Sequence, residues 1–358
     1  MATSNPVKYG SSKLVPCVQE LAKQPMVTPP ARYIRLDQEP SFVSALPLDA
    51  VPVISMQKLL YGDSMELELQ RLHSACKEWG FFQLANHGVP EILVENIKKE
   101  IQEFFELPFE EKKKFWQSEN EVEGFGQAFV VSDEQKLDWA DIFFINTQPI
   151  NSRKPHLFPN LPLPFRRTLD DYSLELKNLA MKILGWMEKA LKIEGKEITE
   201  LFKEGVQSMR MNYYPPCPES DKVIGLTPHS DSIGLTILLQ VNEMEGLQVR
   251  KEGKWIPIKP LPNAFIVNIG DILEIVTNGV YHSIEHRATV NKVKERLSIA
   301  TFYSPRFEAE MGPAKSLVTD QTPAMYRRIM VHEYFRQFFS RELGGRSFIE
   351  DMKIENED

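Results

Sequence analysis

The chain has 358 residues, 42% of them hydrophobic and 26% charged, which is typical of a globular protein with a sizeable core. Its formal net charge of −8 argues against a nucleic-acid partner, because binding to phosphate backbones requires a basic patch. No stretch approaches the roughly 18 consecutive apolar residues of a membrane helix, which argues against a membrane partner.

The first 50 residues are rich in proline, serine and other polar residues, so we expect an arm that crosses the surface. Their opening text, MATSNPVKYGSSKLVP, lacks the apolar segment of a secretory signal. Helical and extended patterns then alternate, with Gly80 and Pro108 as stop signals. The predicted elements are a short helix at 18–24, a strand at 50–56, helices at 65–79 and 91–107, a strand at 81–88 between them, and the longest helix at 172–193.

After about residue 205, short β-rich runs alternate with turns that contain Pro, Gly or Asn. The predicted strands are VQSMRMNYY, LTILLQ, LQVRK, KWIPIK, AFIVNIG, ILEIVTN, SIEHRATV and RLSIATFY, with a hairpin turn at EGK. Their number and spacing indicate an antiparallel sandwich or barrel. The tail beyond about residue 308 is again helical around AMYRRIMVHEYFRQFFSREL. The fold class is therefore α+β, and the predicted divisions are an arm (1–50), a helical N-terminal domain (51–200), a β core (201–310) and a C-terminal helical segment (311–358).

Two further features concern environment. Cys17, Cys76 and Cys217 lie far apart, form no C-x-x-C pair and predict no disulfide framework. We therefore expect a reducing compartment, most simply the cytoplasm, and a monomer. The lysine-rich run EEKKKFW, at residues 110–116, contains its own acids and predicts a solvated helix face.

A histidine and an aspartate stand two residues apart in GLTPHSDSIGLTILLQ. In an extended segment, alternate side chains point the same way, so His229 and Asp231 can face one cavity. A facial Fe(II) site needs two histidines and one carboxylate. Candidates for the third ligand are His282, His286 and His332; His332 lies in a predicted helix and fits its surface better. His282 and His286 share one face of a predicted strand, and the deeper His286 is favoured.

Other polar pairs repeat the two-residue spacing. Arg296 and Ser298 lie on one predicted strand, which we expect to pair with the strand of His286 through a tight connection at 291–295. An inward arginine is costly unless it meets an anion, and its planar fork matches a carboxylate. The alternative is an outward arginine paired with a neighbouring glutamate. Asn212 and Tyr214, before a Pro-rich turn, are candidates to contact the same anion; the alternative is a role in the core and the turn.

These residues lie in text that resembles a known family. NYYPPCP, LTPHSDSIGLTILLQ, GLQVRKEGKWIPIKPLPNAFIVNIGDILEIVTNGVYHSIEHRATVN and ERLSIATFY resemble the catalytic core of plant 2-oxoglutarate- and Fe(II)-dependent dioxygenases. ACKEWGFFQLANHGV, at residues 75–89, resembles their N-terminal domain, and the similarity extends over about residues 50–350. VEGFGQAFVVSDEQKLDWADIFF and SRKPHLFPNLPLPFR are most similar to the branch of senescence-related oxidases and codeine- and thebaine-type O-demethylases.

The resemblance implies a double-stranded β-helix, or jelly roll, framed by helices, with residues 81–88 contributing to its sheet. It implies iron ligands His229, Asp231 and His286, with His282 in a place where many relatives have arginine. It further implies that 2-oxoglutarate binds to four residues, namely Arg296, Ser298, Asn212 and Tyr214. Ascorbate is expected as the reductant and O2 as the oxidant.

The expected reaction is hydroxylation or O-demethylation of a largely apolar aromatic plant metabolite, such as an alkaloid, flavonoid or coumarin, with release of succinate and CO2. Desaturation or ring closure at the same iron site is the alternative, as is a non-catalytic binding protein on this fold. A zinc hydrolase would leave Arg296 and Ser298 without a role. Candidates for an apolar substrate wall are Phe125, Phe129, Phe302 and Tyr303, each of which is equally compatible with a core position.

Overall fold

A computed structural model describes residues 12–36, 39, 51–60, 64–118, 121–127, 130–341 and 344–354. Its α-helices are α1 (Val18–Ala22), α2 (Met56–Leu60), α3 (Met65–Ser74), α4 (Glu91–Glu106), α5 (Phe109–Lys112), α6 (Leu163–Leu191), α7 (Glu197–Phe202), α8 (Asp271–Val276), α9 (Val331–Phe338) and α10 (Ser347–Glu350). Within this described part of the chain, no helix has the length and apolarity required to span a membrane.

The strands form a large sheet, a smaller sheet and one short ribbon. They are β1 (Val53–Ser55), β2 (Phe81–Ala85), β3 (Gly124–Gly126), β4 (Asp141–Gln148), β5 (Val206–Tyr214), β6 (Leu226–His229), β7 (Leu235–Gln240), β8 (Leu247–Lys251), β9 (Lys254–Pro257), β10 (Phe265–Ile269), β11 (His286–Ala288), β12 (Arg296–Ser304), β13 (Glu310–Met311) and β14 (Ile329–Met330). The eight-stranded major sheet has the order β1-β2-β10-β7-β12-β5-β4-β3, and the four-stranded minor sheet has the order β6-β11-β8-β9. Strands β13 and β14 pair with each other.

The two faces of the major sheet have different neighbours. On one face, alternate residues of β5, β7 and β12 join the large core with the apolar stripes of α4 and α6. On the other face, Leu238 and Ile266 pack against Leu247 and Val249 of the minor sheet. The space between the sheets is therefore reached by every second residue of the major-sheet strands, and this alternation positions the site described below.

Several sequence predictions are confirmed. The helix predicted at 65–79 is α3 continued by a π-helical turn, and it ends where Gly80 adopts a φ of 61°. The EGK turn joins β8 to β9, with positive φ at Glu252 and Gly253 as tight hairpin turns require. The strand predicted at 81–88 is β2, which pairs with β10 in the major sheet. The long helix predicted at 172–193 begins earlier, at Leu163.

The predicted strand ILEIVTN is wrong, because its first five residues belong to the helix α8. All six residues of α8 are buried, including Asp271 and Glu274. A short run that is apolar on every side has no periodicity to separate a buried strand from a buried helix. Two other predicted elements are shorter than expected: the strand at 283–290 reduces to β11, and the C-terminal helix to α9.

The predicted pairing of the His286 and Arg296 strands is also wrong. Strand β11 lies in the minor sheet between β6 and β8, whereas β12 lies in the major sheet between β7 and β5. Residues 289–295 therefore connect one sheet to the other, and sequence proximity does not reveal such a crossing.

The lysine-rich run is only partly solvated. Lys113 and Lys114 are exposed, but Lys112 is fully buried and donates hydrogen bonds to the side-chain carbonyl of Gln19 and to the Phe105 carbonyl. The lysine thus fastens the segment of α1 to the body of the molecule. All three cysteines are buried and free.

Candidate metal centre and its two adjoining pockets

Three buried side chains from the minor sheet and the loop after β6 converge on one point. His229 and His286 are directly paired across β6 and β11, so their imidazoles lie on the same face. Asp231 follows β6, and its Oδ1 lies 3.4 Å from Nε2 of His229 and 3.7 Å from Nε2 of His286. One ligand atom from each residue lies within 4.8 Å of the others.

The imidazoles are oriented by their second nitrogens. Nδ1 of His229 lies 2.8 Å from the Thr227 carbonyl, and Nδ1 of His286 lies 3.2 Å from the Ile284 carbonyl. A proton on each Nδ1 leaves the lone pair of each Nε2 free to bind a cation in the space beside Asp231. Nε2 of His229 is buried and makes no hydrogen bond with the described residues.

The Asp231 carboxylate is held by two residues that the sequence did not single out. Thr236 Oγ1 and Asn268 Nδ2 donate to its Oδ2 at 2.6 and 2.8 Å, which leaves Oδ1 for the histidine side. Thr236 and Asn268 are directly paired across β7 and β10, so the register of the major sheet delivers both donors to one oxygen. A signal existed in the sequence: both are polar residues inside apolar strands.

The protonation states suit a cation. Burial, and then the neighbouring His229, lower the pKa of the His286 imidazole to about 4, so it is neutral at pH 7. Burial acts to raise the pKa of the Asp231 carboxyl, but the two histidines and the Thr236 hydroxyl outweigh it and hold the pKa well below its usual range. The centre therefore offers a neutral nitrogen from His286 and an anionic oxygen from Asp231, beside the buried Nε2 of His229.

This donor set fits a metal ion. Two imidazoles and one carboxylate on one side of an ion, with other positions open, are the arrangement preferred by non-haem Fe(II). Closed structural zinc sites use four nitrogen or sulfur ligands instead, and the three cysteines lie outside this cluster. The unpartnered Nε2 of His229 is a buried polar atom that a bound cation would satisfy.

The loop that carries Asp231 is held by hydrogen bonds from the start of α8 and from the C-terminal segment. Gly270 N donates to the Gly234 carbonyl, and Asp271 N donates to the Asp231 carbonyl at 2.7 Å. A Cβ at Gly270 would lie 2.0 Å from the Ile233 carbonyl oxygen, so this close approach requires glycine. On the other side, Gly345 N donates to the Pro228 carbonyl.

Beside the metal centre, the major sheet forms a polar pocket from neighbouring strands β5 and β12. Asn212 is paired with Ser298 and Tyr214 with Arg296, so all four predicted residues lie on one face. Asn212 Nδ2 donates to Ser298 Oγ at 3.2 Å, and the Arg296 guanidinium lies 5.2 Å from the Tyr214 ring centroid. The same pocket is lined by His286 and Asp231. The structure thus brings together all four residues that the sequence resemblance assigns to the binding of 2-oxoglutarate.

Arg296 fits an anionic ligand. It is 2% exposed, donates to Gln240 Oε1 at 2.8 Å and lies 3.5 Å from Ser298 Oγ. Its Nε has no hydrogen-bond partner, and no carboxylate of the described residues forms an ion pair with it. A buried cation without an anion is costly, so a ligand carboxylate in this pocket would be stabilised by it.

A larger apolar cavity opens on the other side of the metal centre, with a volume of about 110 Å³ against about 30 Å³ for the polar pocket. It is lined by Val122, Phe144, Asn146, Val206, Ser208, Arg210, His229, Ser230, Asp231, Ser232, Ile233, Phe302, Ser304, Phe307, Phe335, Phe338 and Phe339. Six of these are phenylalanines, contributed by β4, β12, α9 and the loops that follow β12 and α9. The cavity suits a flat apolar molecule larger than an oxo acid.

Of the three predicted wall residues that the structure describes, only Phe302 lies on this cavity. Tyr303 is the next residue on the same strand, so it points to the opposite face, where its hydroxyl bonds with Gln207. Phe125 is paired with Phe143 and lies in the core, while Phe144 reaches the cavity instead. The assignments of Tyr303 and Phe125 to the wall are therefore corrected. Phe129 lies outside the described residues.

The rival histidines lie elsewhere. His332 is exposed at the start of α9, as predicted. His282 is partly buried and lies outside the three-residue cluster. The choice of His286 made from the sequence thus agrees with the geometry.

Comparison with known proteins gives matches over most of the chain. A model of the 2OG-Fe(II) oxygenase superfamily matches residues 205–305, and one described as non-haem dioxygenase in morphine synthesis N-terminal matches residues 51–162. Oxoglutarate-dependent flavonoid 7-O-demethylase 1 of Ocimum basilicum is 57% identical over 97% of this chain and 93% of its own length. Codeine O-demethylase of Papaver somniferum is 52% identical over 99% of this chain and 100% of its own length.

Among solved structures, a crystal structure of JOX2 in complex with 2OG, Fe and JA aligns with a TM-score of 0.87 and 34% sequence identity. The alignment covers 96% of this chain and 99% of that one. The two facing sheets with flanking helices are thus shared with a protein that binds iron and 2OG.

Proposed function

This chain belongs to the 2OG-Fe(II) oxygenase superfamily, and from that premise we propose that it O-demethylates or hydroxylates a largely apolar, aromatic plant metabolite. The jelly-roll fold and the branch implied by the sequence resemblance are both confirmed. The observation that carries the proposal is the phenylalanine-lined cavity that opens onto His229 and Asp231. The demethylase names of the two relatives support methyl ethers of flavonoid or alkaloid type as substrates.

We assign the binding of iron to His229, Asp231 and His286. When bound, Fe(II) with 2OG uses O2 to deliver a hydroxyl group to a C–H bond, with succinate and CO2 as co-products. A set of three protein ligands would leave a bound ion able to take up co-substrate and O2 as well. Thr236 and Asn268 fix the carboxylate, and the Thr227 and Ile284 carbonyls fix the imidazoles.

We assign the distal carboxylate of 2OG to Arg296 and Ser298, with Asn212 and Tyr214 beside them. The guanidinium is held by Gln240, so its orientation is set before the ligand arrives. The aromatic wall would exclude water and orient the substrate. Hydroxylation of a methoxy carbon gives a hemiacetal, which releases formaldehyde and leaves a phenol; hydroxylation and demethylation thus need the same site.

Three further predictions belong to this proposal. Ascorbate is expected to keep the iron reduced. The free, buried Cys17, Cys76 and Cys217 support a reducing compartment, and we propose the cytoplasm. We propose a monomer, which sedimentation at several protein concentrations would test.

A turnover assay tests the function. Purified protein with Fe(II), ascorbate, O2 and 2OG is given methoxylated flavones and alkaloid methyl ethers, and succinate, formaldehyde and product mass are measured. Demethylation predicts equal amounts of succinate and formaldehyde; a product lighter by two hydrogens would identify desaturation or ring closure instead. His229→Ala and Asp231→Ala should each lower turnover more than about 100-fold, beyond the range seen for lost supporting hydrogen bonds.

His282→Ala is the matched control, since His282 is the alternative ligand on the same segment and lies outside the cluster. It should retain turnover close to that of the unmodified protein. Undiminished turnover in both the His229 and Asp231 variants would contradict the metal assignment. Binding of the ethers without any turnover would favour a binding protein.

A further inference from the structure

Arg210 occupies the junction between the two pockets. It lies on β5, where Val206, Ser208 and Arg210 alternate along the apolar cavity and Asn212 follows in the polar pocket. Arg210, Asp231 and Phe302 are the residues that line both spaces. An arginine is thus placed where a substrate entering from the apolar side would meet the metal centre.

The hydrogen-bonding capacity of the Arg210 guanidinium is only partly used. Its guanidinium lies 5.6 Å from the Phe302 ring centroid, and its Nε is buried without a hydrogen-bond partner. Within the described ranges, no acidic side chain forms an ion pair with it. Its neighbours across the sheet are Ala300 and Phe144, which offer no side-chain acceptor. By contrast, Arg296 in the same sheet is held by Gln240.

A partly buried arginine in a mostly apolar cavity is costly without a partner. Arginine has donors only and stays protonated, so the complementary group must be an acceptor. In a methyl ether the acceptor nearest to the oxidised carbon is the ether oxygen, one bond away from it. A residue beside the metal centre is within reach of this oxygen when the methyl group faces the metal.

We propose that Arg210 is a specificity-determining residue that donates a hydrogen bond to the ether oxygen of the methoxy group. This inference rests on the proposed O-demethylation. As a consequence, a C–H bond of the methyl group on that oxygen, rather than a C–H bond elsewhere in the apolar ring system, is directed to the metal. The aromatic wall supplies the affinity for the ring system, and Arg210 determines which of its C–H bonds is oxidised.

The same hydrogen bond would assist release of the product. In the hemiacetal, the bond between the aryl oxygen and the former methyl carbon breaks and its electron pair stays on the aryl oxygen. The hydroxyl loses its proton as the carbon–oxygen double bond of formaldehyde forms, and the aryl oxygen gains a proton to give the phenol. A cationic donor at the aryl oxygen stabilises the negative charge that develops there.

A pair of probes isolates the ether oxygen: 7-ethylflavone has a methylene group in place of the ether oxygen of 7-methoxyflavone and is close to it in size. Their dissociation constants are measured under nitrogen with the protein loaded with Fe(II) and 2OG. The unmodified protein should bind the methoxy probe about 10-fold to 100-fold more tightly, which is the range for a hydrogen bond from a charged donor. Arg210→Met should abolish this preference, and Arg210→Lys should restore part of it.

Arg306→Met is the control, because Arg306 is more than half exposed and pairs with the exposed Glu204. It should keep the preference for the methoxy probe. Thermal unfolding of each variant shows whether the fold is retained, and the lysine variant keeps the test meaningful if the methionine variant is unstable.

Equal binding of the two probes by the unmodified protein, or none by either, would overturn the inference. So would an Arg210→Met variant that keeps the preference. A rise in the KM for 2OG, with slower succinate formation in the absence of flavone, would assign Arg210 to the co-substrate instead. Preferential binding of the methoxy probe without formaldehyde on adding O2 would refute O-demethylation while leaving the role of Arg210 in binding supported.

Discussion

The polar pocket and the apolar cavity share one metal centre but are built in different ways. The polar pocket takes its four oxo-acid residues from two paired strands, β5 and β12, whose register is regular over nine residue pairs. The apolar cavity takes its phenylalanines from two strands, one helix and two loops that lie far apart in the sequence. The first pocket is therefore fixed by strand register, and the second by how separate segments pack.

That difference suits the ligands proposed for each space. A co-substrate that never changes is served by a rigid sheet face with few, exact polar contacts. A substrate that differs between relatives is served by loops and a terminal helix, whose sequences can vary without disturbing the sheet. Specificity should thus be altered from the cavity side, while mutations in the polar pocket should affect the reaction with every substrate.

In the comparison of the two pockets, the largest effect is expected at Arg296. Arg296→Leu removes the only guanidinium that we assign to the distal carboxylate and should raise the KM for 2OG about 10-fold to 100-fold. The increase should be the same whichever methyl ether is supplied, because the carboxylate of 2OG does not depend on the substrate. Steady-state succinate formation at varied 2OG measures it.

Arg287→Leu is the matched control for this prediction. Arg287 is also 2% exposed, but it lies between His286 and Ala288 and stacks on Trp255 at 4.3 Å, on the opposite face of β11. It should lower the melting temperature and leave the KM for 2OG unchanged. An unaltered KM for 2OG in Arg296→Leu would contradict the assignment of 2OG to the polar pocket and of the substrate to the apolar cavity.

The predicted residues that the structure brings together combine a distinctive side-chain chemistry with the spacing of a strand. His229 and Asp231, and Arg296 and Ser298, are residue types with few uses in a core, and the two-residue spacing of a strand places each pair on one face. The same rule, applied to Phe302 and Tyr303, would have excluded Tyr303, because adjacent strand residues point to opposite faces. Phenylalanine gives no such chemical signal, since it is equally at home in a core or on a cavity wall.

Other features depended on tertiary structure. The all-buried α8 has no amphipathic pattern, and the crossing from β11 to β12 leaves no local mark in the sequence. Thr236 and Asn268 meet at Asp231 because β7 pairs with β10, and strand order cannot be read from either strand alone. The predicted division at residue 200 remains a prediction; the major sheet contains strands from both sides of it.

A comparable effect, on iron rather than on 2OG, is expected at Asn268, which links the major sheet to the metal centre. Asn268→Ala removes one of two donors to Oδ2 of Asp231 and should weaken iron binding about 10-fold to 100-fold, as losses of such supporting hydrogen bonds do. The measurement is the dissociation constant for Fe(II) under nitrogen, with turnover restored by excess iron.

Asn278→Ala serves as its control, because Asn278 is also buried but donates to the Pro323 carbonyl. This variant should lose stability without a change in iron affinity. If Asn268→Ala bound iron normally and still failed to turn over, the residue would serve 2OG or substrate, and the metal centre would be independent of the major sheet.

The smallest effect is expected on the cavity side, at Phe338 of α9. Phe338 is partly buried and lines the cavity. Phe338→Ala should therefore raise the KM for a methyl ether about 10-fold, which is equivalent to about 1.4 kcal/mol. This is less than the roughly 1.5–3 kcal/mol gained by burying such a side chain fully. The KM for 2OG should not change.

Phe125→Leu makes the opposite comparison. Phe125 lies in the core beside Phe104 and Phe105. Its truncation should therefore reduce the free energy of unfolding by about 1–3 kcal/mol and leave both KM values unchanged. A change in substrate KM with Phe125→Leu but not with Phe338→Ala would return the substrate wall to the segment favoured by the sequence and contradict the cavity assignment.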